Sequence, residues 1–379
     1  MQTGLEQIWE IRRIERSKHR KKVVLTAAVL LLLSMLFLCM RGRGMGMMNP
    51  GEVLGILFTD LRIRISSLWD GTAAQNRDEL LKSHPYYAET VIRFKSLLLM
   101  LMAGAVLSLS GTIYQSAMQN PMAVPTMLGV SSGVSFAQMV LVFLYAESAW
   151  EMRGTRYLMS YGFSFFILLI ILLLGRLAGG KKANVADMLI IGTVINRLVQ
   201  IVMNYMQTMM DEDTLELYQE FAQNSQNYFN SFLDLGILLL VSSVVLLPVF
   251  LMRFTFNLVC FADDDGMTLG INPRAMRVDG LVAGGILTAT AMIHAGNIGM
   301  LSMVVPLLCR YLTGADLRNL LGTTAAWGGI TLLAANLIRT YTYMGEYQIP
   351  LGNIVSFLSV PLLIWIIWHN RSAWAVYER

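Results

Sequence analysis

The sequence predicts an all-α protein that crosses a membrane ten times. Two observations carry this. Of 379 residues, 55% are hydrophobic and only 14% are charged, whereas a soluble domain carries about 25% charged residues. Apolar runs close to the roughly 20 residues that a bilayer-spanning helix needs also recur along the whole chain. No hydrophilic block between them is long enough to fold as a separate soluble domain.

Residues 1–22 form a basic tail with Arg12, Arg13, Arg16, Lys18, Arg20, Lys21 and Lys22. The first span, 23–40, runs into CMRGRGMGM with no small-residue cleavage site, so it reads as a retained helix rather than a signal peptide. Residues 41–92 form an insertion of mixed charge, whose EVLGILFTDL stretch suggests a short helix at the membrane interface. Further spans are expected at 97–113, 127–145, 158–174, 186–206, 232–252, 278–294, 298–313, 320–338 and 352–368, giving one membrane domain over 23–372. The eighth is short and should be tilted or sheltered by protein. Lys and Arg concentrate in cytoplasmic flanks. That rule puts both termini in the cytoplasm, the latter with Arg371 and Arg379, together with the Lys181–Lys182 loop. The 211–230 loop, with five carboxylates and no Lys or Arg, falls outside with 41–92. The location is therefore a cell membrane. The net charge of +4 suits basic cytoplasmic ends and does not suggest nucleic acid.

Between spans two and three lies QNPMAVPTMLGVSSG (119–133), which a plain membrane anchor does not need. Pro121 and Pro125 stop the helix from simply continuing. Gly104, Ala105, Ser108 and Gly111 upstream, and Gly129, Ser131, Ser132 and Gly133 downstream, are small enough to let another helix approach closely.

Span five carries Thr193, Asn196, Gln200, Asn204 and Gln207 at steps of three and four, hence on one helical face, with Arg197 beside it. Polar groups facing lipid are unfavourable, so this face should meet a bundle or a water-filled path. In FADDDGMTLGINPRAMR (261–277), Asp263, Asp264 and Asp265 suit the start of a short helix. Gly270 suits its end, and Pro273 the first turn of the next helix. An ordinary solvated loop and a triple-Asp metal site are the alternatives there. Cys39, Cys260 and Cys309 have no metal-ligand or redox spacing. GRLAGGKK (175–182) nearly fits a phosphate loop, but it ends in Lys182 and follows a membrane helix. His294 could ligate iron or haem, although a lone His more often holds structure. The 26 methionines read as soft apolar filler.

MAGAVLSLSGTIYQSAMQNPMAVPTMLGVSSG resembles the signature of the FecCD family, the permeases of type II ABC importers for ferric siderophores, haem and cobalamin. The matching residues are Gly104, Ala105, Ser110, Gly111, Gln115, Asn120, Pro121, Ala123, Pro125, Leu128, Gly129, Ser131 and Gly133. DDDGMTLGINPRAMR, HAGNIGMLSMVVPLLCRYLTGADLRNLL (with Pro306) and LGNIVSFLSVPLLIWII are similar to later family segments, in the same order. The family's R-L-P-R is Arg93-Phe94-Lys95-Ser96 here, its P-H is Pro306-Leu307, and its A-D-x-x-A-R has Asn336 for Asp.

The resemblance implies the ten-helix permease fold, paired with a second permease and two ATPases that bind ATP and Mg. It also implies an extracytoplasmic binding protein, and no cofactor on this chain. Arg93, Lys95 and Arg339 would dock the binding protein. Thr193, Asn196, Arg197, Gln200 and Asn204 would line the path for an iron chelate. Asp263, Asp264, Asp265, Gly266, Leu269, Gly270 and Ile271, within a 256–277 segment, would couple to the ATPases. The rival readings are an ion-gradient-driven transporter and a membrane enzyme. The first wants carboxylates within spans, and Asp187 and Asp279 lie only at span ends. The second wants converging His, Asp or Glu, and the sequence displays no such cluster.

Overall fold

A computed structural model describes residues 24–39, 47–70, 86–179, 185–223, 225–227, 231–259, 272–342 and 349–369. Among them the regular structure is helical, apart from an isolated bridge at Met47. The helices are α1 (Val24–Cys39), α2 (Pro50–Asp70), α3 (Tyr87–Ala117), α4 (Val130–Tyr145), α5 (Arg153–Gly179) and α6 (Val185–Met209). They continue with α7 (Glu212–Gln223), α8 (Phe232–Leu251), α9 (Arg253–Val259), α10 (Pro273–Ala295), α11 (Leu301–Thr313), α12 (Leu317–Tyr341) and α13 (Leu351–His369). The ten expected spans correspond to α1, α3–α6, α8 and α10–α13. Seven of these are long and apolar enough to cross a bilayer, while α1, α4 and α11 are shorter. The short interfacial helix expected in 41–92 is instead a 21-residue helix, α2.

Two compact units divide inside α3, after Arg93. In the first, the Met48 N–H donates to the Cys39 carbonyl at 2.6 Å. The Asp60 carboxylate, 6% exposed, accepts from Arg64 Nε at 2.6 Å and from the Tyr87 hydroxyl. A buried carboxylate needs such donors, and these fix α2 against the start of α3.

In the second unit α3 is central, and the small-residue pattern of the sequence becomes specific contacts. The backbone of Gly104 meets Gly328 of α12, and Gly284 of α10 meets the Tyr114 ring. Farther along, Thr288 Oγ1 donates to Ser110 Oγ at 2.9 Å. The α3–α11 seam is set by Pro306, buried inside α11. Proline has no N–H to offer the carbonyl four residues back, and its ring crowds that carbonyl. The carbonyl in question belongs to Ser302, and Gly111 of α3 packs directly against it. One residue on, Gln115 Nε2 donates to the Met303 carbonyl at 3.2 Å. Arg310 closes the seam, donating to Gln115 Oε1 at 3.2 Å and to Ser116 Oγ at 3.1 Å.

The corner after α3 now has an explanation. Asn120 Oδ1 accepts from the Met122 N–H at 2.9 Å, which tightens the turn as Asx side chains do. Pro125 opens a single 3₁₀ turn, Pro125–Leu128, that ends on Gly129 at φ +76°. That left-handed conformation suits glycine. A side chain at Gly129 would also strike Ile167 of α5. Gly133 sits on the α5 backbone at Ser164, and Ser164 Oγ donates to the Val130 carbonyl at 3.1 Å. Ser131 is buried, and its hydroxyl has no hydrogen-bond partner among the described residues. The corner is thus a compact plug wedged between α5 and α6.

Candidate transport site

Among the seven candidate spans of the described residues, α6 is the least buried. Its buried side runs through Gly192, Asn196, Val199 and Met203. Thr193, Arg197, Gln200 and Asn204 are exposed together on one flank, and Ile190, Val194, Leu198, Ile201 and Tyr205 on another. A helix of about 3.6 residues per turn separates these three sets.

Asn196 does not join the polar stripe. Its Nδ2 donates to the Thr126 carbonyl at 2.8 Å and to the Met127 carbonyl at 3.1 Å. Its Oδ1 accepts from Ser132 Oγ at 2.9 Å. Periodicity grouped Asn196 with the path residues, but its amide clamps α6 onto the Pro125–Leu128 turn. Asn196→Leu is expected to destabilise the protein by about 1–3 kcal/mol through unsatisfied buried carbonyls, read as a fall in thermal unfolding temperature in detergent.

The cations expected to dock a binding protein differ in availability. Arg93 is 8% exposed. Its guanidinium pairs with Glu89 at 2.9 Å and donates to the Phe37 carbonyl at 3.3 Å. In this structure these contacts hold it within its own unit. Lys95 is half-buried, with Nζ 5.2 Å from the centre of the Phe232 ring. Arg339 is half-buried near the end of α12 and donates to Asn227 Oδ1 at 3.0 Å.

The segment with Asp263, Asp264, Asp265, Gly266, Leu269, Gly270 and Ile271 lies outside the described residues. Its flanks are α9 before it and Pro273, the first residue of α10, after it. Beside α9, Asp316 caps α12 by accepting from the Arg318 N–H. A hydrogen bond from the Arg318 side chain is the main cause that holds the Asp316 carboxyl below its usual range. A depressed carboxyl adds stability above its unfolded pKa of about 3.9 and loses it only as pH falls through the lower folded value. This cap is therefore intact across about pH 5–8.

A buried polar junction joins α5, α8 and α10. His294 is fully buried. Its Nδ1 lies 2.7 Å from the Thr290 carbonyl, which can only accept, so Nδ1 carries the proton. In the neutral ring Nε2 is then the acceptor for the Tyr157 hydroxyl at 2.8 Å. Tyr157 also lies 3.3 Å from Asp234 Oδ1, and Tyr161 bonds Thr290 Oγ1 at 2.8 Å. Both ring nitrogens of His294 are thus engaged inside the bundle, and neither is free to ligate iron or haem here. Asp234 was missed in the sequence, and with it the convergence of Asp and His on neighbouring helices. The signal was Ser231-x-x-Asp234, which forms a capping box at the start of α8. The acidic first turn of α7, Glu212 and Asp213, was a comparable unused signal for that helix.

An apolar helical bundle with a polar flank along one spanning helix defines a multi-pass membrane transport protein. The chain matches the FecCD transport family over residues 51–369 and belongs to that family. It is 30% identical over 296 residues to the hemin transport system permease protein HmuU of Yersinia pestis, covering 74% of this chain and 83% of that one. It is 27% identical over 281 residues to an iron chelatin transport system permease protein of Helicobacter pylori, covering 74% and 82%. Its fold superposes with TM-score 0.71 at 18% identity on a solved metal-chelate type ABC transporter described in an inward-facing conformation. That match covers 92% of this chain and 99% of the other.

Proposed function

We propose that this chain is the permease subunit of an ABC importer for an iron chelate, a haem or a related metal complex. The observation that carries this is the exposed flank of α6. An arginine near the middle of a spanning helix costs about 2.5–3.5 kcal/mol on insertion scales. Arg197, with Thr193, Gln200 and Asn204, therefore needs a second polar surface. A second permease subunit, identical or paralogous, supplies that surface, and the space between the two is the water-filled route. A cationic, amide-lined route suits an anionic, oxygen-rich chelate better than a bare cation. In this reading both termini are cytoplasmic, ATP and Mg are bound by two partner ATPases, and alternating access follows from their closure. The 261–277 segment meets the ATPases. A binding protein delivers cargo to the opposite face, where Lys95 and Arg339 are the docking cations.

The test is mild detergent purification of the tagged chain from its native membrane, with mass spectrometry of what accompanies it. The expected result is one ATPase per permease, lost when Asp263–Asp265 and Gly270 are replaced together. An intact permease without any ATPase would overturn the importer reading and favour ion-gradient-driven transport.

A further inference from the structure

We infer that Asn257 and Asp316 are a positioning pair that carries movement of α9 to the N-terminus of α12. The inference rests on the importer reading above. Asn257 lies on α9, four residues before Phe261, and its amide is used at both ends. Nδ2 donates to Asp316 Oδ1 at 2.8 Å, and Oδ1 accepts from the Leu317 N–H at 3.0 Å. Asp316 in turn holds the Arg318 N–H at 3.0 Å and Arg318 Nε at 2.9 Å. The Arg318 guanidinium returns to α9, 5.2 Å from the centre of the Phe254 ring.

Two hydrogen bonds to adjacent residues fix an angle as well as a distance, which a single bond or an apolar contact does not. An amide donates to the cap carboxylate and accepts from the first helical N–H with two separate atoms of one side chain. A helix of seven residues is not stable alone, so the position of α9 is set by what it is tied to. The receiving element is suited to carry the movement onward. α12 runs 25 residues from this cap, packs Gly328 on α3 midway, and holds Arg339 near its far end.

The test uses the complex purified with its own ATPase, in a Cys260→Ser background; Cys39 and Cys309 are buried. A Thr340→Cys reporter at the far end of α12 is labelled with a membrane-impermeant maleimide, with and without ATP plus vanadate. Four forms are compared: the parent, Asn257→Asp, Asp316→Asn and the double swap. Asn257→Asp sets two carboxylates against each other and is expected to cut the nucleotide-dependent change in labelling roughly tenfold. ATPase co-purification and ATP hydrolysis should persist. Asp316→Asn keeps both hydrogen bonds and should respond like the parent. The swap restores a carboxylate–amide pair and should recover the response to within about twofold. If Asn257→Asp does not accumulate, Asn257→Leu replaces it with the same expected loss.

A parent reporter indifferent to nucleotide would overturn the inference. So would an Asn257 variant that responds normally, or a swap as unresponsive as Asn257→Asp. Failure of the parent to carry any ATPase is read separately, from the purification itself. It would remove the importer reading and the role of the pair with it.

Discussion

Gly111→Ala is expected to prevent the bundle from closing. A Cβ at that position would overlap the Ser302 carbonyl oxygen and lie 2.6 Å from the Ser302 carbonyl carbon. Both atoms are backbone, so no side chain can swing aside. The carbonyl itself is held outward by Pro306, and relief would require moving α11. Overpacking typically costs about 1–3 kcal/mol; a backbone collision at the central helix puts this variant at about 3 kcal/mol or beyond. The measurement is membrane accumulation and thermal unfolding of the purified chain. Gly322→Ala is the control, since a methyl group there meets nothing within 4 Å. It should be neutral, or stabilising by about 0.5–1 kcal/mol from helix propensity. Equal behaviour of the two variants would contradict the α3–α11 packing described above.

Asp234→Ala is the second large effect. Asp234 is fully buried and serves two partners. It closes the capping box on the Ser231 N–H and lies against the Tyr157 hydroxyl. Removing it takes away a helix cap and leaves the Ser231 N–H and the Tyr157 hydroxyl without this acceptor, each at a cost of about 1–3 kcal/mol. His294→Phe should be milder, about 1–2 kcal/mol, since the Tyr157 proton can still turn to Asp234. Thermal unfolding of both variants in one detergent gives the order. A larger loss from the histidine would mean that the imidazole, and not the carboxylate, organises the junction.

These two sites mark how far the sequence could be read. The ten apolar runs, the corner at 119–133 and the short eighth span were legible because each is local: run length, proline and glycine act where they stand. Gly104 and Gly111 announced a close approach, but their partners are Gly328 and Ser302, roughly two hundred residues away in sequence. Nothing in a single chain names such a pair. The face assignment of span five was sound in period but too broad, because Asn196 turns toward the Pro125 corner while Arg197 turns away. The outer-end arginines looked alike by position. Their partners differ: Arg93 is held by the Glu89 carboxylate one turn before it and by the Phe37 carbonyl, and Arg339 by Asn227. Asp234 stands at the start of its span, and nothing near it in sequence names Tyr157 as its partner.

One consequence follows from the length of α11. Its 13 residues span about 20 Å, against the roughly 30 Å hydrocarbon thickness of a typical membrane. The peptide groups at one end must then stop at a depth where lipid offers no hydrogen bonds, which is tolerated only under protein cover or beside water. Residues 296–297 have that cover. The Asn297 N–H donates to the Ala222 carbonyl at 3.2 Å, and Gly296, at φ +86°, packs against Gln223. The α7 region is therefore not a dispensable surface loop. It covers the peptide groups of residues 296–297, and shortening it would leave them without that cover.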